Sequence, residues 1–184
     1  MDSKKVILNQ IAKRLRYFSL VTTTKAGSGH PTTCLSAADL MACLMFDEMS
    51  LNPADPHDWA NDELVLSKGH AAPLLWATYA EAGLIDHRQL MTLRQINSVL
   101  EGHPTPRMKW VKAATGSLGQ GLSVGVGMAL AYRLVGSPAR VFVLMGDGEC
   151  AEEVRGSVGE GGGITTGCEG VSRSVSCPAL ASAT

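Results

Sequence analysis

Three of the five histidines in this 184-residue chain follow a glycine: Gly29-His30, Gly69-His70 and Gly102-His103. Glycine lets a backbone pass close to a ligand, and a near-neutral imidazole offers a hydrogen bond to a hydroxyl or an oxyanion. One such histidine reads as an ordinary structural residue, whereas three in the same local context point to a shared site. His57 and His87 lie in polar loop or helix-start surroundings and read as surface residues. No two histidines stand four apart, so a helical histidine pair for a metal does not arise. A second candidate is Gly146-Asp147-Gly148-Glu149. Its glycines free N–H groups to approach phosphate oxygens, and a carboxylate at a strand end can hold magnesium or calcium. The same four residues are also ordinary turn chemistry. The third is Thr115-Gly116-Ser117-Leu118-Gly119-Gln120-Gly121, ahead of a segment in which Gly121, Gly125 and Ala129 form one smooth stripe. Glycine within a helix costs about 1 kcal/mol relative to alanine, which close packing would offset. Packing on the chain's own sheet and a subunit contact both fit that stripe.

The elements that must carry these residues alternate in type. Leu8, Ile11, Leu15 and Phe18 give the first 24 residues the period of an amphipathic helix. A turn at 27–31 precedes a second helix over Ser36 to Met49, with Ser36 as its cap and Asp39 in its first turn. Glu63 to Leu66 is a short strand ending at Ser67-Lys68-Gly69-His70. Helices over Ala72 to Ala82, Asp86 to Arg94 and Gly119 to Leu134 follow, and then a strand over Arg140 to Met145. Such alternation predicts an α/β layered domain with a mostly parallel sheet, and ligands in such sheets sit beyond the carboxyl ends of the strands.

Composition narrows the function classes. Sixteen basic residues against seventeen acidic ones argue against a nucleic-acid binder. No apolar run, Val141 to Met145 among them, is long enough to span a membrane, and the charged N-terminal helix is no signal peptide. Five cysteines without a C-x-x-C pair suit a reduced, cytoplasmic setting. Residues 151–184 differ from the rest, with seven glycines, five serines, no aromatic residue and no lysine. With no helical or strand period there, the segment reads as a disordered Gly/Ser-rich tail, against the alternative of a long functional loop.

Taken in order, Gly27-Ser28-Gly29-His30-Pro31, Leu66 to Ala71, Glu101-Gly102-His103-Pro104, Thr115 to Gly121 and Gly146 to Glu149 resemble the N-terminal thiamine-diphosphate-binding domain of the transketolase family. They are similar also to the N-terminal subunit of transketolases made as two polypeptides. The Ser-Lys-Gly-His and Gly-Ser-Leu-Gly-Gln-Gly segments look less like the related deoxyxylulose-phosphate synthases. The resemblance covers about residues 5–152 and implies a three-layer α/β/α fold, incomplete at its C-terminal end. It implies transfer of a two-carbon ketol unit from a ketose phosphate to an aldose phosphate, with thiamine diphosphate and Mg2+ (or Ca2+) as cofactors. By the same resemblance, His30 and His103 are catalytic and bond substrate hydroxyls, and Thr33, His70, Gly116, Ser117, Leu118 and Gly148 contact the cofactor. Asp147 matches the metal ligand and Glu152 a subunit contact. Implied partners are sugar phosphates, a second transketolase domain or subunit, and a second copy of the chain in a homodimer.

The resemblance stops after Glu152. Residues 153–184 form a divergent tail without the family's further metal-binding asparagine, since no asparagine follows Asn97. The family's second domain, which supplies the glutamate that activates the cofactor, has no counterpart in the sequence. The isolated chain is therefore expected to be inactive. Two other readings stand beside the enzyme component: an inert fragment truncated or frameshifted near residue 153, and a non-catalytic binding or interaction module.

Overall fold

A computed structural model of the chain describes residues 3–151, 164–168 and 171–175. Four helices, α1 (Ser3–Ala26), α2 (Pro31–Cys43), α3 (Ala72–Glu81) and α4 (Gln120–Leu134), surround strands β1 (Glu63–Leu66), β2 (Val141–Met145), β3 (Ile164–Cys168) and β4 (Val171–Val175). A π-helical turn, Leu44–Glu48, extends α2, and short 3₁₀ turns occur at Gly69–Ala71, His87–Thr92 and Gly148–Ala151. The sheet runs in chain order, with β1, β2 and β3 parallel and β4 antiparallel to β3.

The pleat separates two apolar layers. Leu66 and Leu144 face α1, α2 and α3, where they join Leu15, Met41, Leu75 and Trp76. Val65, Val141, Val143 and Met145 face α4 and pack with Leu122. All five residues of β2 are buried, as a central parallel strand covered on both faces requires. The expected three-layer α/β/α architecture is thus present, with β1 at its expected bounds and β2 starting one residue later.

Two local expectations change. The second helix begins at Pro31, not Ser36, so neither the cap nor the first-turn aspartate is where the sequence placed it. Proline's fixed φ is already helical and its missing N–H costs nothing at a first-turn position, so the helix nucleates earlier, with His30 as the N-cap. Ser36 lies within α2, its hydroxyl donating to the Thr33 carbonyl at 3.2 Å, and Asp39 pairs with Arg16 of α1. The segment from Asp86 winds as 3₁₀ rather than α-helix, with the Asp86 carboxylate accepting from the Arg88 N–H at 2.8 Å. Of the tail, residues 164–168 and 171–175 are strands; the rest of 153–184 lies outside the described residues. β3 lies along β2 and satisfies N–H and C=O groups that a free strand edge would leave unpaired.

The small-residue stripe packs on the chain's own sheet. A Cβ on Gly121 would lie 2.4 Å from the Ser67 hydroxyl, and one on Gly125 would lie 2.4 Å from a Val143 methyl. Ala129 continues the same contact. Val143 is buried and β-branched, so it cannot swing aside. Gly125→Ala is therefore expected to destabilise the fold by about 1–3 kcal/mol. Gly127→Ala, on the open side of the same helix, should be neutral or stabilising by up to about 1 kcal/mol. Chemical denaturation of the two variants checks the pair.

Candidate functional site

The three singled-out segments meet beyond the carboxyl ends of β1 and β2. Ser67 to His70 leaves β1, Gly146 to Glu149 leaves β2, and Thr115 to Gly119 leads into α4. Backbone contact between the first and third is close: a Cβ on Gly69 would stand 2.7 Å from the Thr115 carbonyl oxygen and 2.9 Å from the Gly116 nitrogen. The Thr115 hydroxyl donates to the Leu66 carbonyl at 2.6 Å. Gly119 has φ +84, a left-handed turn that only glycine enters freely, and it redirects the chain into α4.

One carboxylate ties all three. Glu149 is 2% exposed. Its Oε1 accepts from the Ser67 hydroxyl at 2.6 Å and from the Gly119 N–H at 3.0 Å, and its Oε2 accepts from the Gly146 N–H at 2.8 Å. Nothing in the sequence marks Glu149 for this, beyond its place after Gly-Asp-Gly. Lys68, 1% exposed beside His70, is equally unmarked.

The structure brings the three Gly-His histidines together. The rings of His30 and His70 lie 5.3 Å apart at 74°. His103 packs on Gly116, where a Cβ would be 2.8 Å from its ring. Its loop is held by Trp76, whose indole N–H donates to the Glu101 carbonyl at 2.9 Å. Burial holds His70 below the ordinary histidine value, and His30 and Lys68 push it further; Glu149 pulls the other way. Burial also lowers His103, followed by the charges of Arg94 and His30. Arg94 is a further residue that sequence reasoning missed. It has φ +61, and its guanidinium fills the space that a Cβ on Gly102 would need.

The remaining candidates are placed around this cluster. Thr33 shares the first turn of α2 with the His30 cap, but among the described residues no hydrogen bond joins its hydroxyl to the histidines. Ser117 and Leu118 are exposed at the mouth of α4, Leu118 by 45%. Asp147 is exposed after β2, and Gly148, with open space where a Cβ would stand, begins a 3₁₀ turn. Among the described residues no three side chains of His, Cys, Asp or Glu gather to hold a metal. Glu152 lies outside the described residues. His57 is exposed, as expected, whereas His87 bonds Glu81 at 2.9 Å and packs on Phe18.

Histidines, glycine-rich turns and an aspartate at the carboxyl edge of a parallel sheet define a cofactor-binding α/β domain. Residues 7–158 match the family described as transketolase, thiamine diphosphate binding domain, and the chain belongs to that family. It is 51% identical over 154 residues to transketolase of Pongo abelii and 50% to that of Homo sapiens, covering 83% of this chain and 24% of each relative. It is 41% identical over 128 residues to one of the subunits of apulose-4-phosphate transketolase of Phocaeicola vulgatus, covering 70% of this chain and 46% of that protein. The fold superposes on transketolase from Campylobacter jejuni with a TM-score of 0.75 and 33% identity, over 83% of this chain and 25% of that one. The chain thus spans about a quarter of the length of its transketolase relatives.

The histidine cluster has a measurable signature. His70 and His103 are expected to titrate below the ordinary 6.5 in NMR spectra. Replacing His30 with Gln should move both midpoints upward, because one repelling charge is removed. Below the ordinary value the unfolded chain binds the extra protons first. The stability present above that value is therefore lost as pH falls through the window down to the folded midpoints. Denaturation midpoints measured across that window check the sign.

Proposed function

We propose that this chain is the N-terminal, cofactor-binding part of a transketolase-type enzyme that moves a two-carbon ketol unit between sugar phosphates. The observation that carries this reading is the convergence of His30, His70 and His103 on the glycine turn at Gly116, beyond the carboxyl ends of β1 and β2. The residues fit thiamine diphosphate. Gly116 leaves room only for backbone beside His103, Gly148 opens onto free space, and Leu118 offers an exposed apolar side chain for an aromatic ring to cover. Mg2+ (or Ca2+) would take Asp147 as its protein carboxylate, with diphosphate and water oxygens completing the oxygen coordination such ions prefer.

When bound, thiamine diphosphate supplies a nucleophilic thiazolium carbon and an electron sink for breaking a carbon–carbon bond. The chain's own residues do the holding. His70, the Gly116–Ser117 backbone and Gly148 would receive the cofactor, with Thr33 at the α2 end. His30 and His103 can accept a proton from a sugar hydroxyl or donate one to it, and burial favours the neutral form of His103. Such preorganised groups stabilise charge that develops in the transition state. Leu130 and Leu134 of α4 and the following Val135 are exposed, as is Leu118, giving a surface suited to the second domain or subunit, or to a second copy of the chain. No helix among the described residues is long and apolar enough to cross a membrane.

Two outcomes are expected. First, the chain alone should give no sugar transfer in a coupled assay with a ketose phosphate, an aldose phosphate, thiamine diphosphate and magnesium. Turnover above a His70→Ala control would overturn the need for a second domain. Second, calorimetry should show weak thiamine diphosphate binding that requires magnesium and weakens further in Asp147→Asn. Sub-micromolar affinity would show a complete site in this chain, and no binding at all would favour the inert-fragment reading.

A further inference from the structure

Glycines surround the site: Gly69, Gly116, Gly119, Gly146 and Gly148 all lie in the three loops. Freedom at so many positions leaves the loops individually underdetermined, and glycine loses more conformational freedom on ordering than any other residue. A single group within reach of all three loops must set their relative places. A carboxylate is suited to the task, because it accepts only, at up to four lone-pair sites, and each bond to its charge is stronger than a neutral one. Glu149 is that carboxylate. It is buried, and it takes one donor from each loop: the Ser67 hydroxyl, the Gly119 N–H and the Gly146 N–H.

We infer that Glu149 is the positioning residue of the cofactor site, fixing the three diphosphate-facing loops in place before the cofactor arrives. This rests on the cofactor reading above. Glu149 does not reach the cofactor itself. Its carboxylate is turned toward the N-terminus of α4 and the two strand ends, and it acts through Gly119, Gly146 and the Ser67 turn that carries His70. Order established in advance is order the ligand need not impose, so the effect should appear in affinity more than in fold stability. A role as a simple helix cap would do the reverse.

The experiment uses the full chain and three substitutions, read by amide hydrogen exchange and by calorimetric binding of thiamine diphosphate with magnesium. Glu149→Ala should deprotect both the Gly119 and Gly146 amides. Glu149→Gln supplies one oxygen in place of two, so one of those amides should lose protection while the other keeps it. Ser67→Ala removes a donor and should leave both protected. Affinity should fall about tenfold in Glu149→Gln, the scale of one lost hydrogen bond to a charged group, and further in Glu149→Ala. The α3 and β2 core amides should stay as in the unaltered chain. If Glu149→Ala fails to fold, the isosteric Gln variant decides. Unchanged glycine protection in Glu149→Gln would overturn the inference, and so would lost protection with unchanged affinity. Absence of binding by the unaltered chain would instead overturn the cofactor reading, and the clamp would then stand or fall on its amide pattern alone.

Discussion

A buried negative charge is tolerated only where donors surround it. In this chain that requirement joins the two strand ends to the start of α4. The Glu149 carboxylate gathers a hydroxyl and two backbone N–H groups from segments far apart in the chain. It also satisfies one of the orphan N–H groups near the α4 start. Around it, contact is made at backbone range, because Gly69 lies on the Thr115–Gly116 peptide and Gly121 lies on Ser67. Any side chain at either glycine would push the loops apart and disturb the turn on which the histidines meet.

The histidine cluster depends on that closeness. Burial disfavours protonation of His70 and His103, and the neighbouring imidazoles, with Lys68 and Arg94 adding positive charge nearby, act in the same direction. Neutral rings can both give and take a proton, which suits handling of sugar hydroxyls better than fixed cations would. Among the described residues the histidines do not form a group of three candidate metal ligands, and the aspartate that would take the ion follows β2. In the cofactor reading, metal and substrate functions are thus divided between separate segments, each with its own glycine turn.

The chain spans about a quarter of its transketolase relatives, and the fold shows what that quarter contains. It holds one complete apolar layer under α1, α2 and α3, a thinner one under α4, and a helix whose outer face carries exposed Leu130 and Leu134. A relative named as one part of a multi-subunit transketolase is covered over a larger share of its own length. In a two-polypeptide arrangement the same layer structure would stand as a separate chain.

Much of the fold was written locally. Short apolar, partly β-branched runs placed β1 at its observed bounds and β2 within one residue, and glycine-histidine pairs marked the three imidazoles that meet. Five short motifs in order carried the family resemblance, because turns that cradle a ligand need particular residues at particular positions. Ser36 misled, since a capping residue is also at home inside a helix when Pro31 has already started it. The role of Glu149 was out of reach for a different reason: its donors stand 3, 30 and 82 positions away. Arg94 in a left-handed turn and His87 against Glu81 were hidden in the same way. A sequence shows which groups want partners, but which partner arrives is decided by how the sheet and helices pack, because burial makes one arrangement far better than its alternatives.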